Sequence, residues 1–367
     1  MSNLNRKELA DVFEKLDGLN SEASYLSENA LSNVDVYHDT GCYALNAIIS
    51  GSCRDGGVPK GRVIGFSGPS GVGKTFIINK VLGIAQKKHG VTPVIFDSEF
   101  AVDKTSAINV GLDPDGVKYV PVYTVEQCRN QVSTLLDSII EKKLQGRFMI
   151  SIDSLGNLAS QKELNDVEKD KAAADMGLRA KTLKSMMRLI TGKAAAAGTT
   201  ILFSNHTYDD PTAMYPSMVK SQAGGSGPTY LASVLCQIAA TNEKQDEAND
   251  KDLILAEARN YSGKTLRFLT IKNRFIPQFL QCETYLNFRT GLDQYSGLKE
   301  MAINHGVLGS NGPTYTVGIS SPDGKYKQGD KLGYYKSFKD DVDFWENFII
   351  PELDKKFAVV YKYGQSK

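Results

Sequence analysis

Gly68-Pro69-Ser70-Gly71-Val72-Gly73-Lys74-Thr75 fits the eight-residue phosphate-loop pattern. The apolar run at 62–67 reads as a strand entering it, and helical apolar spacing at 74–88 reads as a helix leaving it. In that setting the glycines let backbone N–H groups turn inward around phosphates, and the helix N-terminus adds positive potential. Lys74 is placed to neutralise β- and γ-phosphate oxygens, and the Thr75 hydroxyl to ligate Mg²⁺. The stretch therefore predicts a site for ATP and Mg²⁺. The bland alternative, a glycine-rich turn, does not account for the strand and helix on either side.

Outward from the loop, apolar strands alternate with long helices. Strands are read at 62–67, 92–97, 119–122, 147–153 and 199–205, with helices near 74–88, 125–144 and 172–197. Alternation of this kind predicts an α/β fold: a mostly parallel twisted sheet with helices on both faces. Ligands then collect where strand C-termini meet the following loops. Two carboxylates stand at such ends. Asp153 closes Phe148-Met149-Ile150-Ser151-Ile152 and can hold Mg²⁺ through its water shell, or cap a helix together with Ser154. Glu99 closes Val94-Ile95-Phe96-Asp97-Ser98 and can orient or deprotonate an attacking water; alone, it reads equally as a surface charge.

Farther along, strands are read at 233–240, 265–272 and 279–287, the last two spaced like a hairpin. A helix at 295–304 and a charged segment at 341–356 follow, with Trp345 and Phe348 expected to pack a small α+β cap. At the other end, Leu4, Leu9, Val12, Phe13 and Leu16 mark a short amphipathic helix on a polar linker. The reading is three regions: 1–34 an oligomerisation helix and linker, 35–290 the ATPase core, 291–367 a C-terminal region.

Composition excludes several classes. Forty-three Lys and Arg against 42 Asp and Glu leave a net charge of +1, so any nucleic-acid binding must come from a local patch. No apolar run approaches the ~20 residues that cross a bilayer. The five cysteines, Cys42, Cys53, Cys128, Cys236 and Cys282, are scattered without metal-type spacing and read as reduced cytoplasmic thiols.

Several segments together resemble the RecA family, most closely its UvsX-type phage recombinases. They are Thr40-Gly41-Cys42-Tyr43-Ala44-Leu45-Asn46, the phosphate loop, Phe96-Asp97-Ser98-Glu99-Phe100, 152–160, and Ser204-Asn205-His206-Thr207-Tyr208. Gly224-Gly225-Ser226-Gly227-Pro228 and Ile271-Lys272-Asn273-Arg274-Phe275 complete the series, which covers about 35–305 in the family's order. The resemblance implies a RecA-like ATPase core and ATP-driven strand exchange, in recombination, recombination-dependent replication and DNA repair. By position it implies that Glu99 activates the hydrolytic water and that Asp103 lies near the adenine. It puts His206 at the γ-phosphate sensor position, where bacterial RecA carries glutamine. It implies that Lys272 and Arg274 reach the ATP of a neighbouring subunit.

The same resemblance marks two DNA-binding loops. The first is 161–175, leading into a helix with Arg179, Lys181, Lys184 and Arg188; the second is 208–227, with Lys220 and the glycines Gly224 and Gly225. Flexible glycine-containing loops bring N–H groups and lysines to phosphates, and Met176, Tyr208, Met214 and Tyr215 are of the kind that stack on bases. The implied partners are single-stranded DNA, homologous double-stranded DNA, further copies in a helical filament, a mediator and a single-strand-binding protein. The competing readings are a RecA-fold mediator or assembly ATPase, a hexameric DNA helicase and a small-molecule kinase. The intact phosphate loop and Glu99, the roughly 60 residues before the loop and the lack of an acceptor signature weigh against them in turn.

Overall fold

The computed structural model describes residues 6–20, 22–29, 31–167, 176–208, 218–244 and 261–361. Two compact units emerge, Met1–Asp35 and Val36–Lys367. In the first, α1 (Arg6–Leu19) sets Phe13 edge-on to Tyr25, while Val12, Leu16 and Leu19 stay exposed. Leu4 lies outside the described residues.

The second unit begins with β1 (Tyr37–His38), α2 (Tyr43–Ser50) and β2 (Val58–Pro59), the two strands pairing antiparallel. A nine-stranded sheet then dominates. Its first strands are β3 (Val63–Ser67), β4 (Thr92–Asp97), β5 (Lys118–Pro121), β6 (Phe148–Asp153) and β7 (Thr200–Asn205). Set apart is a small hairpin of β8 (Thr207–Tyr208) and β9 (Ser221–Gln222). The sheet resumes with β10 (Val234–Lys244), β11 (Tyr261–Asn273), β12 (Gln281–Asn287) and β13 (Gly291–Leu292). Its order is β13-β12-β11-β10-β3-β7-β6-β4-β5. Every pairing from β10 through β5 is parallel. β11, β12 and β13 join antiparallel.

The reason for this layering lies in β3 and β6, which are apolar on both faces. Ile64, Phe66 and Met149 face one core, with Ile77, Ile78, Val81 and Leu82 of α3 (Lys74–His89). Val63, Ile150 and Ile152 face the other, with Val132 and Leu136 of α5 (Val125–Glu141) and Leu183, Met187 and Ile190 of α7 (Met176–Ala196). The predicted fold class is the observed one, and strand 92–97 matches at both ends.

Two short helices add to the expectations. α4 (Lys104–Asn109) lies where the sequence pattern assigns no element, and α6 (Gln161–Val167) occupies the start of the segment expected to be a flexible DNA loop. Ser160 explains the second: its Oγ accepts from Glu163 N at 3.1 Å while Glu163 Oε2 accepts from Ser160 N at 3.3 Å, a capping box. The C-terminal stretch adds α9 (Leu298–Asn304), a three-stranded sheet of β14 (Leu308–Asn311), β15 (Thr314–Val317) and β16 (Lys331–Tyr334), and α10 (Ile350–Val360). Trp345 and Phe348, expected to pack a small cap, are buried in the same core as α2 and α3.

Candidate nucleotide and nucleic-acid site

The phosphate loop leaves β3 at Ser67 and enters α3 at Lys74, with Gly73 at φ 89°, a left-handed conformation that strains any side chain bearing Cβ. Lys74 Nζ donates to the carbonyls of Gly68 at 3.0 Å and Pro69 at 2.7 Å. Burial lowers the Lys74 pKa, and the nearby Glu99 and Asp153 work against that. Thr75 Oγ1 donates to Asp153 Oδ2 at 2.6 Å, and Ser204 Oγ donates to Asp153 Oδ1. Burial raises the Asp153 pKa, partly offset by those two hydroxyls. Hydroxyl and carboxylate oxygens side by side are the hard donors that Mg²⁺ prefers, so these residues fit the ion. Among the described residues there is no cluster of three or more His, Cys, Asp and Glu suited to a metal.

Glu99 sits on the next strand end. Its Oε1 accepts from Ser154 Oγ at 2.5 Å and contacts His206 Nε2 at 3.1 Å. Burial pushes the Glu99 pKa up, but those contacts and the charge of Lys74 outweigh it and leave it lowered. Its backbone is braced by a residue that sequence reasoning assigned no role. Asp97 Oδ1 accepts from the N–H groups of Glu99 and Phe100, each at 2.8 Å, and Oδ2 accepts from Tyr119 OH at 3.2 Å. Ser98 adds a tie to the strand carrying Asp153, donating from Oγ to Ser154 O at 2.9 Å.

A second missed group is Lys264 on β11, whose Nζ donates to Gly71 O at 2.7 Å. It lies 193 residues from its acceptor, and no local motif announces it. Asp103 caps α4, accepting from Ser106 N at 2.9 Å, and lines an apolar-walled pocket of about 270 Å³ with Ile95, Ala107 and Val117.

Lys272 and Arg274 do not join their own phosphate loop. Lys272 Nζ donates to the carbonyls of Thr229, at 2.9 Å, and Tyr230, and Arg274 Nη2 to Tyr230 O at 3.4 Å, at the end of α8 (Gly227–Leu231). Burial, reinforced by Arg274, brings the Lys272 pKa down to about 8.

The residues proposed for DNA fall on two neighbouring elements. Lys181, Lys184 and Arg188 are exposed on α7, and Tyr208 is exposed on β8. Gly224 and Gly225 pack against Leu183 and Ala180 of α7, which ties the stem of the second loop to the helix after the first. Gln237 clamps the descending limb, accepting from Lys220 N at 2.8 Å and donating to Met218 O at 2.9 Å. Met214, Tyr215, the side chain of Met176 and residues 168–175 lie outside the described residues. Arg179, read with the DNA-facing cations, instead turns inward and donates from Nη2 to Gly156 O.

Comparison with known proteins converges on one family. The RecA N-terminal domain profile matches residues 9–293. "Protein RecA" of Mycoplasmopsis pulmonis is 28% identical over 311 residues, covering 84% of this chain and 83% of that protein. The "Recombination and repair protein" of Enterobacteria phage T4 is 30% identical over 268 residues, covering 72% of this chain and 62% of that protein. With the profile spanning well over half of its length, the chain belongs to the RecA family.

Proposed function

We propose that the chain is an ATP-driven DNA strand-exchange recombinase of recombination and repair, working as a filament on single-stranded DNA. One observation carries this reading: Glu99 is in contact with His206, and His206 leads directly into the β8–β9 hairpin at the base of the second loop. A hydrolytic carboxylate and a DNA-binding loop are thereby joined through a single side chain. Membership in the family, with relatives named for recombination and repair, supports the same assignment.

The chemistry follows from the residues. Lys74 and the loop N–H groups of 68–75 bind the phosphates of ATP, and Thr75 with Asp153 holds Mg²⁺, which when bound neutralises charge on the β- and γ-phosphate oxygens. Glu99, kept ionised by Ser154, His206 and Lys74, accepts the proton of the attacking water. His206 reports the γ-phosphate to the hairpin. Asp103 and its pocket take the adenine side. Lys272 and Arg274 act on a neighbour's ATP, leaving the carbonyls of Thr229 and Tyr230 for stronger phosphate acceptors. Lys181, Arg188, Tyr208 and Lys220, with Met176, Gly224 and Gly225, line the single-strand path. The helix α1, with Val12, Leu16 and Leu19 exposed, docks on the next copy. The region assignments 1–34, 35–290 and 291–367 follow the same division of labour. Unpaired buried cysteines suit a reducing cytoplasm.

Electron microscopy with single-stranded DNA and a slowly hydrolysed ATP analogue tests the reading, paired with a strand-exchange assay on homologous duplex. Helical filaments and exchange are expected. Closed rings would replace it with a helicase, and ATP turnover with neither filaments nor exchange would replace it with a mediator ATPase.

A further inference from the structure

Four basic residues lie close together on α7, but they do not share a face. Lys181, Lys184 and Arg188 are exposed, whereas Arg179 is half-buried and directed at the turn that follows Asp153. Its Nη2 donates to Gly156 O, and its Nε is buried with no acceptor among the described residues. A guanidinium that leaves one buried donor unmatched is costly to hold. Its presence calls for a role other than stabilising the fold.

The acceptor explains the role. Gly156 belongs to the turn Leu155–Asn157, and that turn is fastened on both sides to the Glu99 strand end. Ser154 Oγ bonds Glu99 Oε1 at 2.5 Å, and Asn157 Nδ2 donates to Ser98 O at 2.6 Å. Gly156 also leaves no room for a side chain. A Cβ there would stand 3.1 Å from Asn205 Oδ1 and 3.2 Å from both His206 Cδ2 and Ala223 Cβ. The Gly156 carbonyl is thus linked to Glu99 along the chain through Ser154, and Gly156 stands beside His206 with no room for a side chain between them. Close-packed contacts transmit a displacement rather than absorb it.

We propose that Arg179 is a positioning residue that couples the first DNA loop to hydrolysis: α7 begins where that loop ends, and Arg179 passes the position of its first turn to the Glu99 clamp through Gly156. The inference rests on the reading that 161–175 and α7 line the single-strand path. It adds a route separate from His206 and the second loop. Arg179 acts through the backbone: its hydrogen bond goes to the Gly156 carbonyl, whereas the side-chain contacts of Glu99 are with Ser154 and His206.

The test uses full-length Arg179→Ala and Arg179→Lys, with three readouts: affinity for a poly-dT oligonucleotide across a salt series, KM for ATP, and kcat at saturating oligonucleotide. In Arg179→Ala, affinity, salt slope and KM stay near wild type, while kcat falls roughly 10–100-fold, the scale of a ~1 Å misplacement of a reacting group. Arg179→Lys recovers part of kcat, since an ammonium still reaches Gly156 O but lacks the planar fork. Affinity and salt slope falling together with kcat would make Arg179 a DNA ligand and overturn the proposal, and so would an unchanged kcat. If Arg179→Ala fails to fold, Arg179→Lys decides: full wild-type kcat or a loss of DNA affinity overturns the proposal. Wild-type protein whose hydrolysis ignores the oligonucleotide would instead overturn the underlying DNA reading, a distinguishable failure.

Discussion

Replacing Glu99 by Gln separates a catalytic carboxylate from a structural one. The amide keeps an oxygen where Oε1 accepts from Ser154 at 2.5 Å, and Asp97 continues to brace the backbone at 2.8 Å. What disappears is the negative charge and the proton-accepting capacity. If Glu99 activates water, kcat falls roughly 10²–10⁴-fold, or about 3–5 kcal/mol at ~1.4 kcal/mol per decade. If Glu99 serves only to pair with His206, the loss is that of a partly exposed ion pair, ~0–1 kcal/mol, and turnover barely changes. The two readings differ by at least a factor of ten. Single-turnover hydrolysis on saturating single-stranded DNA measures the rate, and equilibrium binding of ATP confirms an intact site. ATP affinity holds or rises, since one negative charge beside the phosphates is gone, and filaments outlive those of the wild type. A drop in turnover no larger than the ion-pair value, or loss of ATP binding with turnover unchanged, would refute the reasoning.

Three further outcomes follow from the same geometry. Mixing Lys272→Ala/Arg274→Ala with Lys74→Ala restores part of the DNA-stimulated ATPase activity, because some interfaces then pair an intact loop with intact fingers; no recovery at any ratio despite co-assembly would confine the cations to their own subunit. Lys272, with its pKa brought down to about 8, is a cation below that pH and loses its charge as pH rises through it, so activity declines on the alkaline side. A neighbour's phosphate moves that limb upward, and Lys272→Arg removes it, since guanidinium does not titrate there; identical alkaline limbs in both proteins would dismiss Lys272 as the group. Removing Lys181, Arg188 and Lys220 together lowers single-strand affinity and flattens its salt dependence by up to roughly one unit of slope per contact, whereas an unchanged slope would put the DNA path elsewhere.

The sheet was legible because its information is local. Mostly apolar runs such as 148–152 and 200–203 announce strands covered on both faces, and the glycines of 68–73 announce a loop that no other residue type builds as readily. The short helices were missed for a different reason. Ser160 and Glu163 spell out a capping box, and Asp103 and Ser106 form another, yet each opens a helix of only seven and six residues. Helices that short carry too few turns for an apolar stripe to register, so the cap is the whole signal. At 161–167 the expectation of a mobile loop overrode it.

In the site, position was legible and partnership was not. The strand-end rule places Glu99 and Asp153 at strand C-termini and the family resemblance places His206 at a third, and in the structure Glu99 and His206 are 3.1 Å apart. It says nothing of where a long cation rests. Lys74 rests on Gly68 and Pro69, Lys264 on Gly71, Lys272 on Thr229 and Tyr230, and Arg179 on Gly156. In every case the acceptor is a neutral backbone carbonyl, found by tertiary proximity across 5 to 193 residues. A charge-assisted bond to a phosphate is about twice as strong as one between neutral partners. The carbonyls therefore hold each cation in place without competing with an anion that comes within its reach. On the proposed reading that anion is the subunit's own nucleotide for Lys74 and the neighbour's for Lys272. Arg179 differs in the proposed coupling, where its carbonyl is itself the part that moves. On the proposed reading the same bond type serves binding at Lys74 and Lys272 and transmission at Arg179, and the packing around the acceptor tells them apart.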